Sequence, residues 1–167
     1  MDDREIRAEL VKLIPRLRQF ALALTGSRAD GDDLVQDALE RALKHLHSWR
    51  VGTRLDSWLF RIAQNAWIDQ TRSRRARLKV VVDDPDADAA GIDGAAAMTA
   101  ALTLQKALQV LSSLPEEQRA VVALVQIEGY SYREAGEILG VPEGTVTSRL
   151  GRARAALMAQ VLREEDA

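Results

Sequence analysis

The sequence predicts an all-α protein made of two small helical domains joined by an acidic, flexible linker. Three observations carry this expectation. Apolar residues recur at i, i+4, i+7 spacing through most of the 167 residues. Alternating strand patterns are almost absent. From about Leu78 to Ala101 the composition shifts to Asp, Ala and Gly, with five aspartates, one lysine and no arginine, which divides the chain into 1–79, a linker at 80–101, and 102–167.

Ile6, Leu10, Leu13, Leu17, Ala21 and Leu24 outline the first helix. Pro15 is expected to kink or restart it, and Thr25-Gly26 ends it. Ser27-Arg-Ala-Asp30 supplies a cap for a second helix from about Asp30 to His47, whose apolar side holds Leu34, Ala38, Leu39, Ala42, Leu43 and Leu46. After a loop at Arg50 to Arg54, Asp56 or Ser57 caps a third helix running through Trp58, Leu59, Ile62 and Ala66 to about Arg75. The short run Lys79-Val-Val-Val82 reads as a stray strand or a docking segment. Periodicity resumes near Leu102, Leu104, Ala107, Leu108 and Leu111 and stops before Pro115. Pro115-Glu116-Glu117 suits a first turn, because proline lacks only a donor that a helix start leaves unused and acids favour the positive dipole end. Val121, Leu124 and Val125 give that helix its apolar face.

Ser131-Tyr-Arg-Glu134 is a capping box opening a short helix with Ala135, Ile138 and Leu139 inside. Gly140-Val141-Pro142 breaks it. A further helix then carries Val146, Leu150, Ala153 and Leu157 on one side and Thr147, Ser148, Arg149, Gly151 and Arg152 on or beside the other. Two helices about a three-residue turn make a helix-turn-helix, whose second helix can enter a DNA major groove. A helical hairpin within an all-α core has the same spacing; the polarity of Arg149, Arg152 and Arg154 favours the DNA reading.

Composition narrows the function. The absence of cysteine removes disulfides, thiolate chemistry and sulfur-liganded zinc. With no phosphate-cradling glycine loop and no HExxH, no catalytic residue, metal site or cofactor is expected. His45 and His47 point to different sides of one helix and are poor joint ligands. No apolar run reaches the roughly 20 residues of a membrane span, and the N-terminus lacks signal-peptide character, so a cytoplasmic protein without membrane insertion is expected. The net charge of −2 conceals a division: residues 1–80 carry 16 Lys+Arg against 11 Asp+Glu, and residues 81–167 carry 7 against 14. A mildly acidic chain binds free DNA poorly by phosphate neutralisation alone. Nucleic-acid contact must be local or assisted by a partner.

Within the first domain, Asp33, Gln36, Asp37 and Glu40 share one helix side, either a solvated face or a partner surface. Farther on, Arg72, Arg74, Arg75, Arg77 and Lys79 follow the helix of Trp58, Phe60 and Trp67. Basic residues beside aromatics suit unpaired nucleic acid, although the tryptophans equally suit a core.

Four blocks carry a resemblance. They are Ser27-Arg-Ala-Asp-Gly-Asp-Asp-Leu-Val-Gln-Asp-Ala-Leu-Glu-Arg-Ala-Leu43, Trp58-Leu-Phe-Arg-Ile-Ala-Gln-Asn65, Leu114-Pro-Glu-Glu-Gln-Arg119 and Gly144-Thr-Val-Thr-Ser-Arg-Leu-Gly-Arg-Ala-Arg154. In this order, across nearly the whole chain, they resemble the extracytoplasmic-function sigma factors of bacterial RNA polymerase. The resemblance implies a region 2-like bundle and a region 4-like helix-turn-helix that bind core polymerase and direct it to promoters. Asp33, Gln36, Asp37 and Glu40 would then meet the clamp helices of the largest subunit, and the second domain the flap of the second largest. Trp49, Arg54, Arg61, Asn65, Arg72, Arg74 and Arg75 would hold the minus-ten element as single strand, with Asn65 reading a base turned out of the stack and the loop from Trp49 to Ser57 shaping its pocket. Thr147, Ser148, Arg149 and Arg152 would face the duplex minus-thirty-five element, Arg149 on the backbone. The family often has arginine where this chain has Thr147 and a bulky residue where it has Gly151, which points to weaker or different base readout. An anti-sigma factor is the implied inhibitor. The linker aspartates fit either a segment lying along basic polymerase channels or a solvated tether. Two other readings compete: a stand-alone helix-turn-helix regulator, which predicts a symmetric dimer on duplex operators, and a sigma-like decoy that binds an anti-sigma protein but no promoter.

Overall fold

The computed structural model describes residues 1–78 and 95–167. Among the described residues the chain is helical without strands. The Lys79 to Val82 run and the linker aspartates lie outside them.

Helix α1 (Asp3–Thr25) starts on an Asp2/Glu5 capping box and passes through Pro15 without interruption. The expected restart does not occur, because the buried stripe of Ile6, Leu10, Leu17 and Leu24 keeps helical phase on both sides of the proline. Gly26, at φ 77°, closes the helix in a left-handed conformation that its missing Cβ allows. Ser27 then caps α2 (Arg28–Lys44), accepting from the Asp30 amide at 3.2 Å. Chain reversal through a 3₁₀ turn (Leu46–Ser48) and a loop leads to α3 (Leu55–Leu78). This helix starts one or two residues earlier than the expected cap, with Asp56 inside its first turn. Packing of α1 on α2 and α3 buries Leu17, Phe20, Leu34, Leu59 and Phe60, and the Phe20 and Phe60 rings lie 4.9 Å apart. Each such large side chain contributes roughly 1.5–3 kcal/mol relative to exposure.

Helix α4 (Ala95–Ser112) begins well before Leu102 and takes in the end of the segment expected to be linker. Ala95-Ala-Ala-Met-Thr-Ala-Ala-Leu102 has high intrinsic helix propensity, a signal that apolar periodicity does not register. Helix α5 (Glu116–Val122) continues into a π-helical turn (Ala123–Ile127), in which the Glu128 amide reaches back to the Ala123 carbonyl. Helix α6 (Tyr132–Leu139) opens on the expected capping box: the Glu134 amide donates to Ser131 Oγ (3.1 Å) and the Ser131 amide to Glu134 Oε2 (2.7 Å). Gly140 turns the chain at φ 69° into α7 (Glu143–Glu165). Val121, Leu124, Ala135, Ile138, Val146, Leu150 and Ala153 form the core of this second bundle.

The two bundles pack against each other, α3 on α6 and α1 on α4 and the π-helical turn. Among the described residues no helix is long and apolar enough to cross a membrane.

Candidate nucleic-acid and partner interfaces

Helix α3 puts its apolar residues inward and leaves an outer stripe. Arg61, Asn65, Ile68, Arg72 and Arg75 are exposed and recur at i, i+4, i+7, i+11 and i+14, so they run along one side of the helix. The stripe combines an amide, an apolar step and three guanidinium groups. That set offers a base edge its donors and acceptor, a base face a support, and phosphates their counter-charge. Arg74 is not on it: its guanidinium turns to α2 and donates to Asp30 at 2.8 Å. All three tryptophans serve the fold. Trp49 and Trp67 are 7% and 5% exposed and Trp58 is half-buried, so Trp49 fixes the loop at 49–57 from inside and does not present a free aromatic face.

Between α3 and the second bundle lies a cleft of about 350 Å³, bordered by Gln64, Trp67, Arg72, Arg75, Glu116 and Arg149. Gln64 Oε1 and Trp67 Nε1 are buried there without hydrogen-bond partners. Arg149 faces this cleft, 4.0 Å from Glu117, with its side chain 22% exposed. Helix geometry explains the turn: Arg149 precedes Leu150 and follows Val146 on the flank of the buried stripe, whereas Thr147, Ser148, Gly151 and Arg152 are exposed on the outer face. The hydroxyls of Thr147 and Ser148 donate back to the carbonyls of Glu143 and Thr145, at 3.1 Å each. Arg152 is the long cationic side chain standing beside them.

On α2, Asp33, Gln36 and Glu40 are exposed. Asp37 differs: one carboxylate oxygen accepts from Arg41 Nε (2.9 Å) and the other from Gln70 Nε2 (3.1 Å), while Arg41 also donates to Asp69 on α3 (2.7 Å). The face is not purely acidic. Leu43 is exposed and Leu39 half-buried, and with Val35 they line a groove of about 370 Å³ with Arg18 of α1 at its edge.

Arg54 is drawn into a cluster that residue spacing does not disclose. Arg16 on α1 donates to Glu128 (3.1 Å), Asp56 (3.3 Å) and the Tyr130 hydroxyl (3.1 Å), and that hydroxyl donates to Asp56 (3.0 Å). Arg54 binds Asp56 and Glu134 and lies over the Tyr130 ring at 5.2 Å. Burial opposes the Asp56 charge, but hydrogen bonds from Arg54, Tyr130 and the Ser57 amide outweigh it and hold the carboxyl at about 2. Burial, reinforced by the Asp56 charge, pushes the Tyr130 phenol up to about 12. Burial also raises Glu128, whose side chain is 2% exposed, and Arg16 compensates only in part. The opposite charges of the two halves were the one sequence signal of this cluster.

Two family models match the chain: Sigma-70 region 2 over residues 10–77 and Sigma-70, region 4 over residues 104–157. The chain is 37% identical over 155 residues to the ECF RNA polymerase sigma factor EcfG of Rhodopseudomonas palustris, covering 92% of this chain and 83% of that protein. It is 29% identical to SigW of Bacillus subtilis, with 95% and 90% covered. Among solved structures it resembles the sigma factor RpoE of Bartonella quintana, solved in complex with the anti-sigma factor NepR, at a TM-score of 0.76 and 31% identity over 95% of this chain and 97% of that one. CnrH in complex with the cytosolic domain of CnrY follows at 0.72 and 30% identity, over 99% and 92%.

Proposed function

The chain belongs to the extracytoplasmic-function sigma factors of bacterial RNA polymerase, and from that membership we propose how its surfaces divide the work. It acts in transcription initiation by directing polymerase to promoters. The observation that carries the residue-level reading is the exposed α3 stripe. Asn65 takes the edge of a minus-ten base turned out of the stack, and Arg61, Arg72 and Arg75 hold the strand by its phosphates. Arg54 joins them from the pocket loop. Arg74 and Trp49 act from behind, the first fixing α3 to α2 and the second fixing the loop. On α7, Thr147, Ser148 and Arg152 meet the minus-thirty-five duplex in the major groove, and Arg149 reaches the backbone only when the cleft opens.

Asp33, Gln36 and Glu40, with the apolar shoulder of Leu39 and Leu43, form the surface for the clamp helices of the largest polymerase subunit. The second bundle serves the flap of the second largest. Acid sets the encounter rate and orientation, and the leucines supply the buried area. Because RpoE and CnrH are solved with anti-sigma partners, an inhibitor of that class is inferred for this chain too.

Run-off transcription on genomic fragments with purified core polymerase tests the reading. New start sites are expected only when this protein is added; identical starts without it overturn the assignment. Tight binding of the isolated protein to duplex operators as a symmetric dimer would instead support the stand-alone regulator.

A further inference from the structure

The cleft between α3 and the second bundle has a polar floor and a cationic mouth, and strand binding engages only the mouth. Gln64, Trp67, Ile68, Arg72 and Arg75 follow one another at i, i+3, i+4, i+8 and i+11, so one flank of α3 carries that whole wall. Gln64 is 8% and Trp67 5% exposed. Each holds one polar atom without a partner among the described residues, the acceptor Gln64 Oε1 and the donor Trp67 Nε1. Burying such a pair unbonded costs folding free energy, and an apolar pair of similar shape would cost less. At the mouth stand three guanidinium groups. Arg75 is 3.4 Å from Glu116 and Arg149 4.0 Å from Glu117, loose pairs that each include a largely exposed side chain. Arg72 is exposed and has no ion pair among the described residues.

We propose that this cleft binds a free nucleotide, with the base edge on Gln64 and Trp67 and the phosphate among Arg72, Arg75 and Arg149. The buried end is uncharged and offers an acceptor one helical turn from a donor. It calls for a neutral group with its own donor and acceptor side by side, as nucleobases carry along an edge. A carboxylate placed there would meet Gln64 Oε1 acceptor to acceptor. Ile68, Leu139 and Val141 give the space between floor and mouth apolar walls for a flat ring. The mouth takes the charged end, because guanidinium groups grip phosphate through a fork of donors and a dianion displaces a loosely held carboxylate. At about 350 Å³ the cleft falls at the lower end of the range for small-ligand sites, room for one nucleotide and not for a helix of a partner protein. Arg72 and Arg75 also hold the minus-ten strand in the assignment proposed above, so a bound nucleotide should compete with the strand; that consequence alone rests on the assignment.

The test is calorimetric titration of the full chain with AMP, GMP, CMP and UMP, with the four nucleosides, and with inorganic phosphate. At least one nucleotide should bind about tenfold or more tighter than its nucleoside or phosphate, and should raise Tm. Gln64→Leu replaces an unbonded amide by an apolar side chain. It should fold with equal or greater stability and yet lose about tenfold in nucleotide affinity, a loss that a purely structural glutamine would not produce. Arg149→Ala, at the mouth and off α3, should also weaken nucleotide binding, and it decides the matter if circular dichroism shows Gln64→Leu unfolded. The site is overturned if no nucleotide binds at millimolar concentration, if phosphate binds as tightly as the nucleotides, or if the folded variants keep wild-type affinity. A fluorescein-labelled oligonucleotide from the non-template minus-ten strand of a promoter mapped by run-off supplies the last arm. Saturating nucleotide should weaken its binding. Should a nucleotide bind and leave the oligonucleotide unaffected, the site stands and the strand role of Arg72 and Arg75 fails. If Gln64→Leu weakens the oligonucleotide as much as the nucleotide, the cleft holds a base of the strand and the free ligand is overturned.

Discussion

Asp33 and Asp37 stand four residues apart on one side of α2, yet the structure gives them different work. Asp33 is solvated, whereas Asp37 is held by Arg41 and Gln70 and braces α2 against α3. Asp33→Lys with Glu40→Lys should therefore slow association with core polymerase, with a stronger effect at low salt, and leave thermal stability nearly unchanged. Asp37→Ala should lower stability and weaken core binding only as a consequence. Surface plasmon resonance beside thermal denaturation separates the two. Asn65→Ala should leave core binding intact but cost promoter opening about 1–3 kcal/mol, the worth of a good base-edge contact, as read by permanganate footprinting. The acids of the Arg16 cluster titrate in opposite senses. Asp56, lowered from 3.8 to about 2, stabilises the fold above pH 3.8, and that contribution, at most about 2 kcal/mol, disappears as pH falls through about 2. Glu128 is raised above 4.5, so its carboxyl is most favourable below pH 4.5 and its charge becomes a burden as pH rises through the folded value. Glu128→Gln should thus gain stability over wild type at neutral pH, and the gap should close as pH falls toward 4.5 in thermal melts.

At the scale of elements, the helix-turn-helix was legible because its determinants are local. A serine three residues before a glutamate, a glycine able to adopt φ 69° and an apolar stripe in helical phase need no distant partner. Two glycines of this unit carry opposite predictions. A Cβ at Gly136 would stand 2.8 Å from the Val141 carbonyl, so Gly136→Ala should force the turn apart and cost about 1–3 kcal/mol. A Cβ at Gly151 meets nothing within 4 Å, and Gly151→Ala should gain up to about 1 kcal/mol of helix propensity. Urea denaturation measures both. Element boundaries were less legible where periodicity is silent, as at the alanine-rich start of α4, or where tertiary packing overrides a local breaker, as at Pro15.

For the whole molecule, the charge division between the halves becomes an attraction that folds the chain on itself, region 2 cations against region 4 acids. Raising ionic strength should loosen the exposed Arg75 contact well before the enclosed Arg16 cluster, so energy transfer between domain-specific dyes should hold at moderate salt and fall only when the cluster gives way. By itself the sequence determined that the chain is all-α, that it carries two sigma regions, and which helix faces are apolar, because helical phase, caps and breakers act over a few residues. Only the tertiary structure decided which charged residues are free to bind a partner. Arg74, Arg149 and Asp37 look like their neighbours along the chain, and their tasks follow from Asp30, Glu117 and Gln70, which folding brings to them from 44, 32 and 33 residues away. Salt bridges depend on distances in space of a few ångströms, and no periodicity along a helix encodes what lies across the interface.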